Sequence, residues 1–267
     1  WQTFLTNSGT EAVEAAIKLS RYHTGRSQLI AFRGGFHGRS LGSLSLTASK
    51  PKYRKGFGPL TPGTHHVDFG DWESIEKVLF HTTVPANEVA AIVVEPIQGE
   101  GGYIIPQASF LQNLRRICDE NGIMLVFDEV QSGMGRTGKM FALEHFGVTP
   151  DIILAAKGIA SGMPLGAMIA RKEIMTWPGG SHGSTCGGNP VCIAAALATL
   201  DLIEGGMMQN AAVVGADFKQ MLSDGLTGNP GVHEVRGPID LSQIVISLVE
   251  HEEEHCEQIE AMRAKLR

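Results

Sequence analysis

Short runs of apolar residues recur along the chain and predict the strands of a buried sheet. The runs are rich in Val and Ile and do not alternate with polar residues, which is typical of strands covered on both faces. The predicted strands span residues 29–32, 90–94, 123–127, 152–155 and 167–170.

Between these runs, apolar residues recur every three or four positions and predict amphipathic helices. Gly205-Gly206 is expected to end the helix over 190–204 before the next helix begins. Strands that alternate with helices predict an α/β domain built on a mostly parallel sheet. The predicted helices span residues 11–23, 110–118, 190–204 and 209–222.

The composition narrows the class of partner. A net charge of −6 and a pI of about 5.9 argue against a protein that binds nucleic acid or an acidic membrane surface through its charge. No apolar stretch is expected to reach the ~18 residues of a membrane span. The four cysteines form no CxxC pair, which favours reduced thiols and a cytoplasmic location. The chain begins with Trp1 close to a helix signal, so the natural N-terminus is expected to be missing and targeting is not assessable.

Three ionisable residues lie just after predicted strands: Glu95, Asp128 and Lys157. In parallel sheets, ligands bind outside the carboxyl ends of the strands. A lysine after a buried strand is expected to be poorly solvated, which favours its neutral, nucleophilic form. A carboxylate at the end of the neighbouring strand could hold a cationic ring nitrogen. A Schiff-base lysine and an acidic pyridinium partner are two of the groups that pyridoxal phosphate (PLP) chemistry uses.

Residues 7–12 predict a helix start that is suited to an anion. Ser8 followed by Glu11 forms a capping-box pattern, so unpaired amides are expected here. Gly9 leaves room for a phosphate to approach those amides, and Thr10 adds a hydroxyl. An ordinary helix cap explains the same pattern.

Three further segments carry candidate ligand contacts. Phe36, among glycines after a strand, can lie flat on a ligand ring. Glu100 lies among glycines on a predicted accessible loop, where it could pair with a substrate cation or an arginine. The small residues 184–189 precede a helix and include hydroxyls that could contact a phosphate. Each segment also has a purely structural explanation. Phe36 could be a core aromatic residue, Glu100 a solvated acid, and residues 184–189 a turn before a helix.

Two motifs suggest other functions. Residues 133–139 fit the GxxxxGK pattern of a P-loop, but Met140 stands where Ser or Thr would bind magnesium. Residues 251–255 read HEEEH and match the HExxH pattern of zinc hydrolases. The surrounding run is acidic and polar, which favours a solvated helix face over a metal site.

The segments SGTEA, FHGR, EPIQGEGG, DEVQSGMGRTG, LAAKG and STCGGNP, in this order, resemble the signatures of class III PLP-dependent aminotransferases of the ornithine/4-aminobutyrate type. The resemblance covers about residues 1–236. It implies the α/β architecture of PLP-dependent transferase fold type I, with a large, mostly parallel-sheet domain and an incomplete small C-terminal domain. We expect the PLP-binding large domain in residues 1–208. A linking helix and a partial or rearranged C-terminal domain are expected in residues 209–267.

The resemblance also implies roles for matched positions in binding PLP. Lys157 would bind the cofactor covalently and transfer protons, and Asp128 would hold the ring nitrogen. The other implied contacts are Gly9 and Thr10 at the phosphate, Phe36 on the ring face and Gln131 near the phenolic oxygen. Thr185 would reach the phosphate of the partner subunit's cofactor, which implies a homodimer with a shared active site.

The implied reaction moves an amino group from an ω-amino acid, 4-aminobutyrate-like, to a 2-oxo acid such as 2-oxoglutarate. Ornithine and acetylornithine are alternative donors. Glu100 matches a glutamate that pairs with an active-site arginine in the family. We expect this chain to lack the family's segment before SGTEA and to depart from the family after Gly237. A catalytically idle PLP-binding or oligomerising fragment is therefore the alternative.

Overall fold

A single sheet organises residues 1–226, the part of the chain that the computed structural model describes. The sheet has seven strands in the order β1-β7-β6-β5-β4-β2-β3. The strands are β1 (Gln2–Thr6), β2 (Gln28–Phe32), β3 (Thr64–Val67), β4 (Val89–Val94), β5 (Met124–Asp128), β6 (Ile152–Ala155) and β7 (Gly166–Ala170).

The prediction of a mostly parallel sheet is confirmed. Strands β3, β2, β4, β5 and β6 pair in parallel. Strand β7 pairs antiparallel with both β6 and β1 at one edge. The carboxyl ends of β4, β5 and β6 therefore lie side by side, where ligands bind in sheets of this kind.

Helices cover both faces of the sheet. Helix α1 packs on one face and α4 on the other. Both end at a glycine with positive φ, Gly25 and Gly122, because the left-handed conformation of a helix C-cap strains other residues. The α-helices are α1 (Gly9–Thr24), α2 (Leu41–Leu46), α3 (Phe80–Thr82), α4 (Ala108–Asn121), α5 (Pro190–Leu202) and α6 (Met208–Leu226).

Strand β4 shows why the apolar runs do not alternate. Ile92 and Val94 pack into the core beneath α4, while Ala91 and Val93 pack beneath α1. Every position of this strand is buried, so every position is apolar. The five predicted strands are confirmed to within a residue or so. Strands β1 and β3 escaped prediction because they contain exposed or half-buried polar residues at the sheet edges.

Helices α5 and α6 contradict the expectation that no apolar stretch reaches the length of a membrane span. By length and composition, the helical segment Pro190–Asp224 is long and apolar enough to cross a membrane, since an 18-residue window within it has a mean hydropathy of 1.6. The expectation of no such stretch is wrong because the π-helical turn Ile203–Met207 joins the two helices. A single helix of this kind is weak evidence for a span, and non-helical backbone at Gly206 divides it into shorter arms. The proposed domain boundary at residue 208 stays a prediction, since residues 227–267 lie outside the described part.

A buried ion pair closes the sheet at the end opposite the strand carboxyl ends. Asp151 Oδ2 accepts hydrogen bonds from the Leu125 amide and Arg115 Nη1, both at 2.8 Å. The Asp151 side chain is 9% exposed and that of Arg115 17%. This carboxylate therefore ties α4 to the beginnings of β5 and β6.

We expect Asp151→Ala to lower the free energy of unfolding by about 3 kcal/mol, because it removes the buried anionic partner of Arg115 and leaves the buried Leu125 amide unpaired. Asp119→Ala is the matched control, since it removes an exposed partner of the same Arg115. The control should change stability by less than about 1 kcal/mol. Urea unfolding measures both, and equal losses would contradict the assignment.

Candidate active site

The predicted ionisable residues converge at the carboxyl edge of the sheet. Glu95 follows β4, Asp128 ends β5 and Lys157 follows β6. Asp128 pairs in register with Leu154, so Lys157 emerges beside it. The convergence that the sequence predicted is confirmed.

Lys157 leaves the sheet in an unusual backbone conformation. Its φ is +44°, which is uncommon for a residue other than glycine. The residue begins a short 3₁₀ turn, Lys157–Ala160, and its amine donates a hydrogen bond to Gln131 Oε1. Lys157 is exposed, so the expectation of poor solvation is wrong for this chain. The left-handed turn carries the residue out of the buried strand and over the sheet edge.

Gln131 presents a buried donor to the same place. Its Nε2 is buried and has no hydrogen-bond partner within the described residues. A buried donor left unpaired costs about 1–3 kcal/mol. The side chain is fixed by the loop after β4, because a Cβ added to Gly99 would lie 2.9 Å from Gln131 Cγ. Such a donor is suited to an acceptor atom of a ligand, as the resemblance implies.

Asp128 is a buried carboxylate with one donor on each oxygen. Oδ2 lies 2.8 Å from His37 Nδ1, and Oδ1 accepts the Val130 amide at 3.1 Å. Burial by itself would lower the pKa of His37, but the hydrogen bond and charge of Asp128, with the charge of Glu95, raise it above its ordinary value. His37 belongs to the FHGR motif, but the sequence analysis predicted no role for it.

Glu95 joins the two loops that flank this carboxylate. Its Oε1 accepts the Phe36 amide at 2.9 Å and its Oε2 accepts the Gly99 amide at 3.0 Å. Burial raises the pKa of Glu95 to about 7. The sequence placed Glu95 at a strand end but did not predict that it would hold two loops together.

The start of α1 lies beside these strand ends. A Cβ added to Gly9 would lie 2.9 Å from Val130 Cγ1, which shows how closely the helix approaches the loop after β5. Ser8 caps the helix by accepting the Glu11 amide at 3.4 Å. Glu11 Oε2 accepts the Asn7 amide instead of that of Ser8, so the predicted capping box forms only in part.

Hydroxyl groups cluster around Thr10. Its Oγ1 lies 2.8 Å from Ser40 Oγ and 2.6 Å from Ser43 Oγ. Gly38, with φ +131°, passes so close that an added Cβ would lie 2.4 Å from Thr10 Oγ1. Backbone and hydroxyl donors therefore meet at the positive end of a helix, which is favourable for a phosphate.

Phe36 and Glu100 line one side of this region. Phe36 is half-buried, and its ring meets Tyr53 edge-on with centroids 5.4 Å apart. Glu100 Oε2 lies 3.2 Å from both Tyr53 Oη and Lys50 Nζ. The Glu100 side chain is 22% exposed, so it is less accessible than predicted. Its cationic neighbour is a lysine, whereas the resemblance implied an arginine.

Thr185 lies on an exposed segment that is hydrogen-bonded to α1 and to Asn7, just before that helix. Asn7 Nδ2 donates to Ser184 Oγ at 2.8 Å, and Lys18 Nζ donates to the Ser181 carbonyl at 2.9 Å. Thr185 itself is exposed. Its predicted contact with a partner subunit's cofactor stays a prediction.

Glu129 shapes the loop that carries Gln131, and sequence reasoning missed it. The buried carboxylate accepts the amides of Ala142 at 3.1 Å and Leu143 at 2.7 Å, together with the Ser132 hydroxyl. Burial raises the pKa of Glu129 to about 7. Nothing in the sequence indicates that the acid directly after Asp128 is buried and binds backbone amides of the following loop.

The two competing motifs gain no support. Residues 130–137 form successive turns, and the 3₁₀ helix Ala142–His145 follows them in place of the α-helix of a P-loop. Across residues 1–226 no cluster of three or more His, Cys, Asp or Glu could hold a metal ion. The HExxH motif at 251–255 lies outside the described residues.

The donors at this edge fit PLP. Asp128 offers an anion to a ring nitrogen, and Gln131 Nε2 offers an unpaired donor to a phenolic oxygen. Gly9 and Gly38 bring backbone close to the Thr10 hydroxyl, where a phosphate would lie. The Lys157 amine beside Gln131 supplies the nucleophile.

Sequence comparison identifies relatives along nearly the whole chain. The model of the family Aminotransferase class-III matches residues 2–264. The chain is 48% identical over 238 residues to an acetylornithine aminotransferase of Methanopyrus kandleri, covering 88% of this chain and 59% of that protein. It is 48% identical over 228 residues to a putrescine aminotransferase of Pectobacterium atrosepticum, covering 82% and 48%. The chain thus spans about half the length of these curated relatives.

Solved structures give the same picture. An ornithine aminotransferase from Toxoplasma gondii superposes with a TM-score of 0.82 at 33% identity, covering 89% of this chain and 58% of that one. An (S)-enantioselective omega-transaminase from Thermomicrobium roseum superposes with a TM-score of 0.81 at 34% identity, covering 88% and 58%.

The buried Glu129 predicts a pH dependence of stability. Its pKa is about 7 in the folded chain but near 4.3 in an unfolded one. The folded state therefore holds the proton more tightly. The stabilisation is complete below the unfolded pKa and is lost as pH rises towards 7. The expected loss from this group is roughly 4 kcal/mol.

Chemical unfolding between about pH 4 and pH 8 measures this loss. Glu129→Gln should remove Glu129's share of the decline, so its free energy of unfolding falls less steeply over this range than that of the wild type. Ser132→Ala removes a hydrogen-bond partner but keeps the titrating carboxyl, so it should retain the decline. Identical pH slopes in the wild type and Glu129→Gln would contradict the prediction.

Proposed function

The chain belongs to the class III aminotransferase family, and from that premise we propose that it binds PLP and transfers an amino group from a terminal-amine donor to a 2-oxo acid. Its fold is fold type I of the PLP-dependent transferases, as the sequence predicted. The observation that carries the proposal is the convergence of Lys157, Gln131 and Asp128 at one edge of the sheet.

Four side chains at this edge would each hold a different part of the cofactor. Asp128 would hold the ring nitrogen, Gln131 the phenolic oxygen and Thr10, with the start of α1, the phosphate. Phe36 would cover one face of the ring and keep water from it. When bound, PLP supplies an electron sink for the carbanion formed at the substrate.

Lys157 is the group that moves protons. Its Nζ lies beside Gln131, at the carboxyl edge where a substrate would enter. An amine at this point can take a proton from the substrate carbon and return it elsewhere, as a general acid and base. Asp128 would lie against the cationic ring nitrogen.

The donor class follows from the relatives' names and from the rim of the site. Acetylornithine, putrescine and ornithine all carry a terminal amine, and 4-aminobutyrate belongs to the same chemical class. Glu100 supports the proposal because it places a carboxylate at the rim, on the loop that packs against Gln131. We propose ω-amino acids of the 4-aminobutyrate type as donors and 2-oxoglutarate as acceptor.

An absorption spectrum of the purified chain with added PLP tests this function. We expect a visible band that is lost in Lys157→Ala and retained in Lys172→Ala, because Lys172 is an exposed lysine that follows the antiparallel strand β7, at the opposite edge of the sheet from Lys157. The band should bleach on adding 4-aminobutyrate, ornithine, acetylornithine or putrescine, and 2-oxoglutarate should restore it. The donor that bleaches it fastest identifies the substrate.

Two results would redirect the proposal. A lysine-dependent band that no amine bleaches would show that the cofactor site is intact but that this chain is catalytically idle. The absence of any band would contradict PLP binding altogether.

We further propose that two copies form a homodimer that shares its active sites. Helix α5 supports this because one side is buried and the other is apolar and exposed. Val191, Leu197 and Leu202 are 65%, 59% and 55% exposed. Large exposed apolar surfaces of this kind mark interaction sites. The exposed Thr185 lies on the segment directly before this helix.

Light scattering after size exclusion tests the dimer. We expect the wild type to have the mass of two chains and Leu197→Glu to shift towards one, because a charge in an apolar interface is costly. Val78→Glu is the matched control, since Val78 is 54% exposed on a different part of the surface. A wild type with the mass of one chain would contradict the proposal, as would an equal shift in the control.

A further inference from the structure

We propose that Thr199 of α5 is a positioning residue for Lys157, because it holds the far end of the turn that carries the lysine. This turn is the 3₁₀ turn Lys157–Ala160, with Ser161 at its end. The inference rests on the proposed function. Thr199 contacts Ser161 and acts on Lys157 only through the backbone of the turn.

The turn is strained at both ends. Lys157 has a φ of +44°, and Ser161 has a φ of +47°. Neither residue is glycine, and the left-handed region is unfavourable for a residue that carries a side chain. Conformations of this kind persist only where the surrounding structure fixes them. The position of the Lys157 amine therefore depends on the contacts that hold the turn.

Backbone hydrogen bonds hold the two ends of the turn unequally. At its start, the Ile159 amide donates to the Ala156 carbonyl at 3.0 Å. At its end, the Ser161 amide donates to the Gly158 carbonyl at 3.4 Å, which is long for such a bond. The end at Ser161 is therefore the one that needs support from outside the turn.

Apolar packing restrains the middle of the turn. Ala160 is buried in a small cluster with Cys192 and Ala196 of α5. Gly158 meets the loop after β5, since a Cβ added to it would lie 3.3 Å from Met134 Cβ. Apolar contacts have no preferred direction, so they do not by themselves orient the residue that ends the turn.

The Thr199 hydroxyl adds a directional contact at that end. Ser161 Oγ lies 2.9 Å from Thr199 Oγ1. Thr199 Oγ1 donates its single hydrogen to the Ala195 carbonyl at 2.8 Å, so Ser161 donates and Thr199 accepts. Thr199 is buried on its helix, whereas Ser161 is exposed. A fixed acceptor on α5 thus orients the side chain of the strained residue that closes the turn.

Substitutions at Thr199 separate the hydroxyl from the packing of α5. Thr199→Val keeps the shape of the side chain and removes the acceptor, whereas Thr199→Ser keeps the hydroxyl. Thr82→Val is the matched control, because Thr82 Oγ1 also donates to a carbonyl of its own helical segment, that of Val78, far along the chain from the turn. Thermal unfolding monitored by circular dichroism checks that each variant folds.

The first readout is the dissociation constant for PLP, measured by equilibrium dialysis. The Lys157 amine must reach the aldehyde carbon of PLP to form a covalent bond, with loss of the aldehyde oxygen as water. A loosened turn presents the amine less often at that point, so we expect Thr199→Val to bind PLP about fivefold more weakly than the wild type. Thr199→Ser and Thr82→Val should stay within about twofold of the wild type.

The same comparison in a Lys157→Ala background shows whether Thr199 acts through the lysine. There, Thr199→Val should leave the affinity for PLP unchanged, because the group that it positions is gone. An equal loss in both backgrounds would overturn the inference, since it would mean that the substitution disturbs the site as a whole. Wild-type affinity in Thr199→Val, or an equal loss in Thr199→Ser, would also overturn it.

Hydrogen exchange of the chain without PLP gives a second, independent readout. The amides of residues 158–165 should exchange faster in Thr199→Val than in the wild type, and Thr199→Ser should restore the slower exchange. Unchanged exchange in Thr199→Val would contradict the inference. A wild type that fails to bind PLP contradicts the proposed function, and the exchange comparison, which needs no cofactor, then decides whether Thr199 holds the turn.

Ser161→Ala provides the test if Thr199→Val does not fold. It removes the same hydrogen bond from the exposed side and leaves α5 intact. It should weaken PLP binding by a similar factor when Lys157 is present and have no effect in the Lys157→Ala background. An unchanged affinity in Ser161→Ala would overturn the inference.

Discussion

The buried carboxylate of Asp128 is the constraint on which the rest of the site depends. A charge at 3% residue exposure is costly unless donors surround it. His37 and the Val130 amide supply those donors. Each brings its own segment to the strand ends, namely the loop after β2 and the loop after β5. The hydrogen bonds to one buried carboxylate thus bring together two of the segments that would contact a cofactor.

Two further buried acids extend the same principle to the surrounding loops. Glu95 binds the amides of Phe36 and Gly99, so one carboxylate joins the loops after β2 and β4. Glu129 binds the amides of Ala142 and Leu143 and so orders the turns that carry Gln131. Irregular loops can be rigid in this way because their backbone donors are satisfied internally. A rigid frame is what pre-positioned catalytic groups need.

The sequence predicted the parts of this arrangement that follow from periodicity and from strand ends. Five strands, the helices over 11–23 and 110–118 and the convergence of Asp128 and Lys157 all follow from local patterns. The support given by His37 was out of reach because its contact with Asp128 spans 91 positions. The solvation of Lys157 was mispredicted because a positive φ after a buried strand has no signature in residue types. The edge strands β1 and β3 were missed because their polar residues conceal the apolar period.

Covalent labelling of Lys157 tests the central claim most directly. The purified chain would be mixed with PLP, reduced with borohydride, digested and analysed by mass spectrometry. Reduction converts a lysine–PLP imine into a stable secondary amine, so the modified residue can be read from the peptides. The account predicts the phosphopyridoxyl group on Lys157 at near-stoichiometric yield, with only traces on other lysines. Labelling spread evenly over the surface lysines, or concentrated on another lysine, would contradict it.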